Sequence, residues 1–313
     1  MKVVFLGTSG SMPTLERGSS SVALIRGREV ILLDCGEGTQ RQMVAAHIGF
    51  TRPTRILVSH LHGDHVLGIP GLLQSMTLQR REAQLEVYGP VGTAAYIQAF
   101  TSTLGGPGFP VTVYEIRKPG TIYDSAEYRI EAAEADHEVE AWSYALVEYP
   151  RPGRFHPDRA RSLGVPEGVL WKRLQGGEDV ELRGRVVRSS EVVDQPRPGR
   201  KVVYSGDTRP TDGLVRLAEG ADLLIHEATF GEELAERAAE DGHSTARQAA
   251  EVAAKAGVER LILTHISSRY LDEVLPKLRR GRSPRTPSPP VTSWPWRSPS
   301  GSPSSPQDPS RVR

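Results

Sequence analysis

The sequence predicts an α/β sandwich, and three observations predict it. Five short apolar runs each lead into a residue able to carry chemistry: residues 30–33 into Asp34, 56–58 into His60, 201–204 into Asp207, 223–225 into His226 and Glu227, and 261–263 into His265. Continuous apolar runs of this length imply strands buried on both faces, as when helices cover a sheet. Helical patterns lie between them, with strand-helix alternation in the second half and a more strand-rich first half.

In chain order, MKVVFLGTSGSMP carries one Lys and a four-residue apolar run, which reads as a strand and not a signal peptide. Helices are expected over 39–47 and 92–103, and a strand over 128–133 ahead of Asp136-His137. From Thr245, TARQAAEVAAKAG opens on a Thr-x-x-Gln capping box and closes on Gly257. Its alanines at 246, 249, 250 and 253 predict a narrow stripe packed on a sheet. From Arg279 the composition turns to Pro, Ser and Arg without apolar period, which predicts a disordered tail over 279–313.

No apolar stretch approaches the roughly 20 residues needed to span a bilayer, so no membrane partner is expected. Cys35 is the only cysteine. That excludes an intrachain disulfide, fits a reducing cytoplasm and reads as a small buried side chain. From Lys277 onward there are 8 Lys/Arg and one acid, so residues 1–276 hold 31 basic and 37 acidic residues, a formal charge of −6. A globally basic nucleic-acid binder is thereby excluded, and a polyanion must meet a local patch. The segment 151–201, with 12 Lys/Arg and 7 Asp/Glu, is one candidate, although charge alone favours a solvated, charge-mixed loop.

The densest chemistry is HLHGDH: His60, His62, Asp64 and His65 directly follow an apolar run. Imidazole and carboxylate are ligands that Zn²⁺ prefers. On a turn leaving a strand, His60 and His62 converge on one point and Asp64 and His65 on a second, which suggests two metals. His137, Asp207 and His265, each just past a strand, complete seven ligands, and Asp207 is the natural shared carboxylate.

These ligands in this order resemble the metallo-β-lactamase fold. LLDCGEGTQRQM at 32–43, LIHEATF at 224–230, GHSTARQAAEVA from Gly242 and LTHISSRY at 263–270 are similar to ribonuclease Z, the endonuclease family that trims precursor tRNA. The resemblance spans residues 1–278. It implies a four-layer αββα sandwich with an inserted protruding arm at about 150–199. It further implies two Zn²⁺ per subunit, His60, His62 and His137 holding one, Asp64, His65 and His265 the other, and Asp207 bridging. Asp64 would accept a proton from the attacking water, and His243 paired with Glu227 would donate one to the departing 3′-oxygen. Precursor tRNA would be the substrate and a homodimer the assembly, with arm residues 164–171 near the tip. Pro13 and Arg17 match a loop of many relatives, whereas Leu15 and Gly18 replace its Lys and Asn.

Simpler readings stand beside these. His243 could cap the following helix and Glu227 could be a buried acceptor. His226 reads as structural, Asp34 as an outer partner that orients a ligand, and His47 and His156 as surface residues. The rival functions are a general zinc phosphodiesterase and an inactive RNA-binding protein with a damaged C-terminus.

Overall fold

The structure, a computed structural model, describes residues 1–270. The expected boundary at 278 and the expected disordered tail lie outside the described residues.

Two six-stranded sheets form the centre. The first runs Lys2–Gly7, Ser21–Arg26, Glu29–Leu33, Thr54–Leu57, Leu85–Gly89 and Val111–Glu115, antiparallel at the start and parallel from Glu29–Leu33 onward. The second runs Leu261–Thr264, Leu223–Glu227, Lys201–Tyr204, Ala141–Glu148, Tyr128–Ala135 and Gly120–Asp124, parallel across its first three strands and antiparallel beyond.

Four of the apolar runs are buried on both faces because alternate side chains enter different cores, whereas 261–263, on an edge strand, is only half-buried. Ile31 and Leu33 join Tyr204, Ile225 and Tyr144 between the sheets, while Val30 and Leu32 face outward onto helices. Likewise Val202 and Tyr204 point between the sheets and Val203 points outward. Helices Thr39–Ala45, Gly68–Leu78 and Thr93–Leu104 cover the first sheet through Met43, Leu72, Met76 and Ile97. Asp212–Ala218 and Ala246–Ala256 cover the second. The four-layer αββα expectation is met, but the first half holds more helix than its sequence suggested. Gly68–Leu78 was not anticipated; its Pro70 sits in the first turn, where a missing N–H costs no helical hydrogen bond.

Helix Ala246–Ala256 forms for the reasons its sequence states. Thr245 accepts from Gln248 N, the Gln248 side chain accepts from Thr245 N at 2.8 Å, and Gly257 closes it in the left-handed region at φ 63°. The buried face is Ala249, Val252, Ala253 and Ala256. Ala246 and Ala250 are only half-buried, since a 3.6-residue period carries the stripe through Val252.

The sheets are joined by polar contacts at one end. Trp142 N donates to Ser59 O at 2.9 Å, Tyr144 OH to Val58 O at 2.6 Å and Tyr204 OH to Asp34 Oδ2 at 2.6 Å. Parallel strands place their carboxyl ends there, and the site lies among the loops that follow them.

The charge-mixed loop favoured for 151–201 is overturned. Helices Pro157–Ser162 and Val169–Gln175 and the hairpin of Val180–Leu182 with Arg185–Val187 enclose a separate apolar cluster of Ala160, Val165, Leu174, Val180, Val187 and Val192. Trp171 Nε1 donates to Val165 O at 3.0 Å, so the Gly/Pro-rich stretch 164–171 is packed against this cluster. Its apolar members are scattered with no short period, and only the tertiary fold assembles them.

Candidate metal centre

Strand ends bring the seven expected ligands together, six of them after parallel strands and His137 after the antiparallel Tyr128–Ala135. His60 and His62 follow strand Thr54–Leu57, and Asp64 and His65 lie in the helical turn Gly63–Val66. His137 follows Tyr128–Ala135, Asp207 follows Lys201–Tyr204, and His265 follows Leu261–Thr264. One ligand atom from each of His60, His62 and His137 falls within 4.8 Å of the others, and the same holds for Asp64, His65 and His265 and for His60, His65 and Asp207. Asp207 Oδ2 stands 3.8 Å from His60 Nε2, 3.3 Å from His65 Nε2 and 3.2 Å from His265 Nε2. It therefore faces members of both triads. Of the pair Asp136-His137, only His137 enters; Asp136 bonds Arg209 at 3.0 Å.

Four of the five expected histidine ligands are aimed by an outer contact. Asp34 Oδ2 lies 2.7 Å from His65 Nδ1, Ser59 Oγ 3.0 Å from His60 Nδ1, Gly242 O 2.8 Å from His137 Nδ1 and Thr229 Oγ1 2.8 Å from His265 Nδ1. Asp34 also accepts from Ser59 N, Ser59 Oγ and Tyr204 OH, which makes it the orienting group expected of it. Asp34 and His265 both adopt left-handed backbone, φ 58° and 52°. Such strain persists only where surrounding contacts over-determine it. A Cβ on Gly242, itself at φ 75°, would fall 2.7 Å from His137 Nδ1.

The electrostatics suit a cation. Burial pushes the His60 and His137 imidazoles below their ordinary pKa, keeping them neutral. Burial also opposes charge on His65, Asp64 and Asp207, but their partners outweigh it. Asp207 and Asp34 hold His65 well above the usual range; the adjoining His265 and His65 rings hold Asp64 well below it; and the charges of His265 and His65 do the same for Asp207. Buried His60 Nε2, His65 Nε2 and Asp207 Oδ1 have no hydrogen-bond partner. Buried polar atoms are ordinarily paired, and these converge as an all-nitrogen-and-oxygen donor set. The residues fit divalent cations.

Beside the triads, Glu227 Oε1 lies 3.0 Å from His243 Nδ1 and accepts from Ser244 N and Thr208 N. Burial would lower the His243 pKa, but the hydrogen bond and charge of Glu227, then Asp207, raise it to about 9. The His243 ring is 5.0 Å from that of His137 and 5.4 Å from that of His265, so it borders both triads. Helix capping is therefore not its role; Thr245 caps that helix.

His226 is fully buried with Nδ1 2.7 Å from Glu227 O, apart from the ligands. His47 is exposed. His156, expected at the surface, is half-buried and paired with Asp194 at 2.8 Å. Sequence reasoning missed Ser59, Tyr204 and Thr229. The available signal was position, since each neighbours or ends a strand that leads into a candidate site residue.

Two stacked mixed sheets, helices on both outer faces and a His/Asp cluster at the strand ends define a metallo-β-lactamase-type protein. A family model described as Beta-lactamase superfamily domain matches residues 184–266, and one described as Anti-Pycsar protein Apyc1 matches residues 1–98. The chain is 47% identical over 283 residues to the ribonuclease Z of Methanosarcina acetivorans, covering 89% of this chain and 92% of that one. It is 50% identical over 278 residues to the ribonuclease Z of Natronomonas pharaonis, covering 88% and 90%. Human tRNase Z, short form, matches in structure with a TM-score of 0.67 and 30% identity, over 86% of this chain and 94% of that one. The chain belongs to the ribonuclease Z family.

Proposed function

We propose that this protein is a zinc-dependent endoribonuclease that removes the 3′ trailer from precursor tRNA, leaving a tRNA 3′-hydroxyl and a trailer 5′-phosphate. Asp207, facing two triads of ligand atoms with the His243–Glu227 pair against both, carries this reading. The relatives named ribonuclease Z, at nearly half identity over most of their length, support it.

His60, His62 and His137 would hold one Zn²⁺, Asp64, His65 and His265 a second, and Asp207 both. Two such cations supply a water that is nucleophilic near neutral pH and a clamp for non-bridging phosphate oxygens. The chain's own residues then move the protons. Asp64, held ionised, accepts one from the attacking water; its Oδ2 is fixed by Ser11 N at 2.8 Å. His243, kept protonated by Glu227, donates one to the departing 3′-oxygen.

The segment 151–201 is the arm that grips the tRNA. Its acids Asp158, Glu167, Glu178, Glu191 and Asp194 are taken up by neighbouring cations. Exposed Arg154, Arg159, Lys172, Arg183 and Arg188 have no ion-pair partner among the described residues and are left for phosphates. Phosphate contacts of this kind position an RNA without reading its sequence. The assembly is a homodimer in which each arm serves the neighbouring site, and the compartment is the cytoplasm, which fits the buried thiol of Cys35. Among the described residues no helix is long and apolar enough to cross a membrane.

The decisive assay incubates wild type and Asp64→Ala with a trailer-bearing precursor tRNA, with and without an encoded CCA, beside a bis-aryl phosphate. Wild type should cut once, after the discriminator base, and the variant should lose about 10²–10⁴-fold. Hydrolysis of the aryl ester with an intact precursor would support the general phosphodiesterase instead. Fewer than two zincs per chain and no cooperative melt would support the inactive RNA-binding protein.

A further inference from the structure

Thr229 occupies the one point where a ligand histidine, Glu227 and His243 meet. Its Oγ1 lies 2.8 Å from Glu227 Oε2, 2.8 Å from His265 Nδ1 and 3.3 Å from His243 Nδ1. Its backbone N donates to the same Glu227 oxygen at 2.9 Å. Glu227 thus divides its oxygens: Oε2 belongs to Thr229, and Oε1 to His243, Ser244 N and Thr208 N.

A hydroxyl has a single proton. Both Glu227 oxygens already accept backbone N–H bonds, so that proton goes to Oε2. The Thr229 oxygen must then accept from His265 Nδ1–H. In the neutral ring that metal binding requires, Nε2 is then left bare on the inner side, 3.2 Å from both Asp64 Oδ2 and Asp207 Oδ2. The opposite tautomer would present a protonated nitrogen to the site. It would also set an acceptor nitrogen against a hydroxyl already committed elsewhere.

We propose that Thr229 is a positioning residue: its hydroxyl oxygen locks His265 in the Nδ1-protonated tautomer and, through the bond its proton donates, holds Glu227 in register with His243. It couples the second ligand triad to the proton donor. The inference rests on the two-metal reading above.

The test compares Thr229→Val, which keeps the side chain's shape, and Thr229→Ser, which keeps the hydroxyl, with wild type. Chelator-stripped protein is titrated with Zn²⁺ against a colorimetric chelator, and His265 is followed by imidazole ¹⁵N shifts. Loss of an outer partner to a ligand histidine typically weakens metal binding about 10–100-fold. Thr229→Val should therefore bind its first equivalent as wild type does, bind its second about 10–100-fold more weakly and show a mixed-tautomer His265 signature. It should lose kcat on precursor tRNA with KM little changed, and Thr229→Ser should restore each property. A merely structural Thr229 would lower the melting temperature of the metal-free protein without touching the tautomer; that result, or a Val variant matching wild type in zinc affinity, overturns the proposal alone. Wild type that binds no zinc overturns the two-metal reading and this proposal together.

Discussion

Asp34 Oδ2 lies 2.7 Å from His65 Nδ1, while His65 Nε2 looks the other way, 3.3 Å from Asp207. One carboxylate aims the ring and a second shares its target. Removing Asp34 also strips Ser59 and Tyr204 OH of their buried partner. Asp34→Ala should weaken zinc binding about 10–100-fold, with cleavage partly recovered in excess zinc. Unchanged affinity in a chelator competition would contradict this.

The His243–Glu227 pair makes a pH prediction for the metal-free protein. Folded His243 titrates at about 9, above its ordinary value of 6.5, so its contribution to stability is complete below 6.5 and disappears as pH rises through 9. Glu227→Gln should move the midpoint, read by imidazole NMR shifts, down toward the ordinary value and flatten that loss. A wild-type midpoint near 6.5 would count against the pairing.

Leu174 is fully buried in the arm's own cluster. Leu174→Ala should cost about 2–5 kcal/mol locally. The expected pattern is early proteolysis within 151–201, a raised KM for precursor tRNA and unchanged zinc content and aryl-ester hydrolysis. Charge removal at Arg154, Arg159 or Lys172 should raise KM and lessen its salt dependence, by a slope of about one per lost phosphate contact. Equal losses on the small ester would show that the arm does not serve the RNA.

The Cys35 thiol is buried and pushed up to about 12. Native protein at pH 8 should resist thiol reagents and react only when unfolded, because the thiolate is the nucleophile. Rapid labelling of the native chain would argue against the placement of this strand end.

A Cβ on Gly36 would stand 2.1 Å from Asp64 O. Gly36→Ala must therefore displace the turn that carries Asp64 and His65. The variant should lose zinc and cleavage more completely than Asp34→Ala does, which metal analysis of purified protein would reveal.

What the sequence by itself determined was local or strictly ordered. The five strand runs, the Thr245–Gln248 capping box with its Gly257 stop, and the seven candidate metal-binding residues were legible because each depends on neighbours a few residues away, on an unusual density of one chemistry or on a fixed order along the chain. Tertiary structure alone decided which nitrogens turn inward. Asp34 reaches Tyr204 across 170 positions, and Thr229 reaches His265 across 36, so no period or motif records either contact. The arm is the same case: Ala160, Val165, Leu174, Val180, Val187 and Val192 read as stray apolar residues in a charged stretch until folding buries them together. Hydrophobic burial and hydrogen-bond satisfaction act on neighbours in space, and a linear chain spells out only those that are also neighbours in sequence.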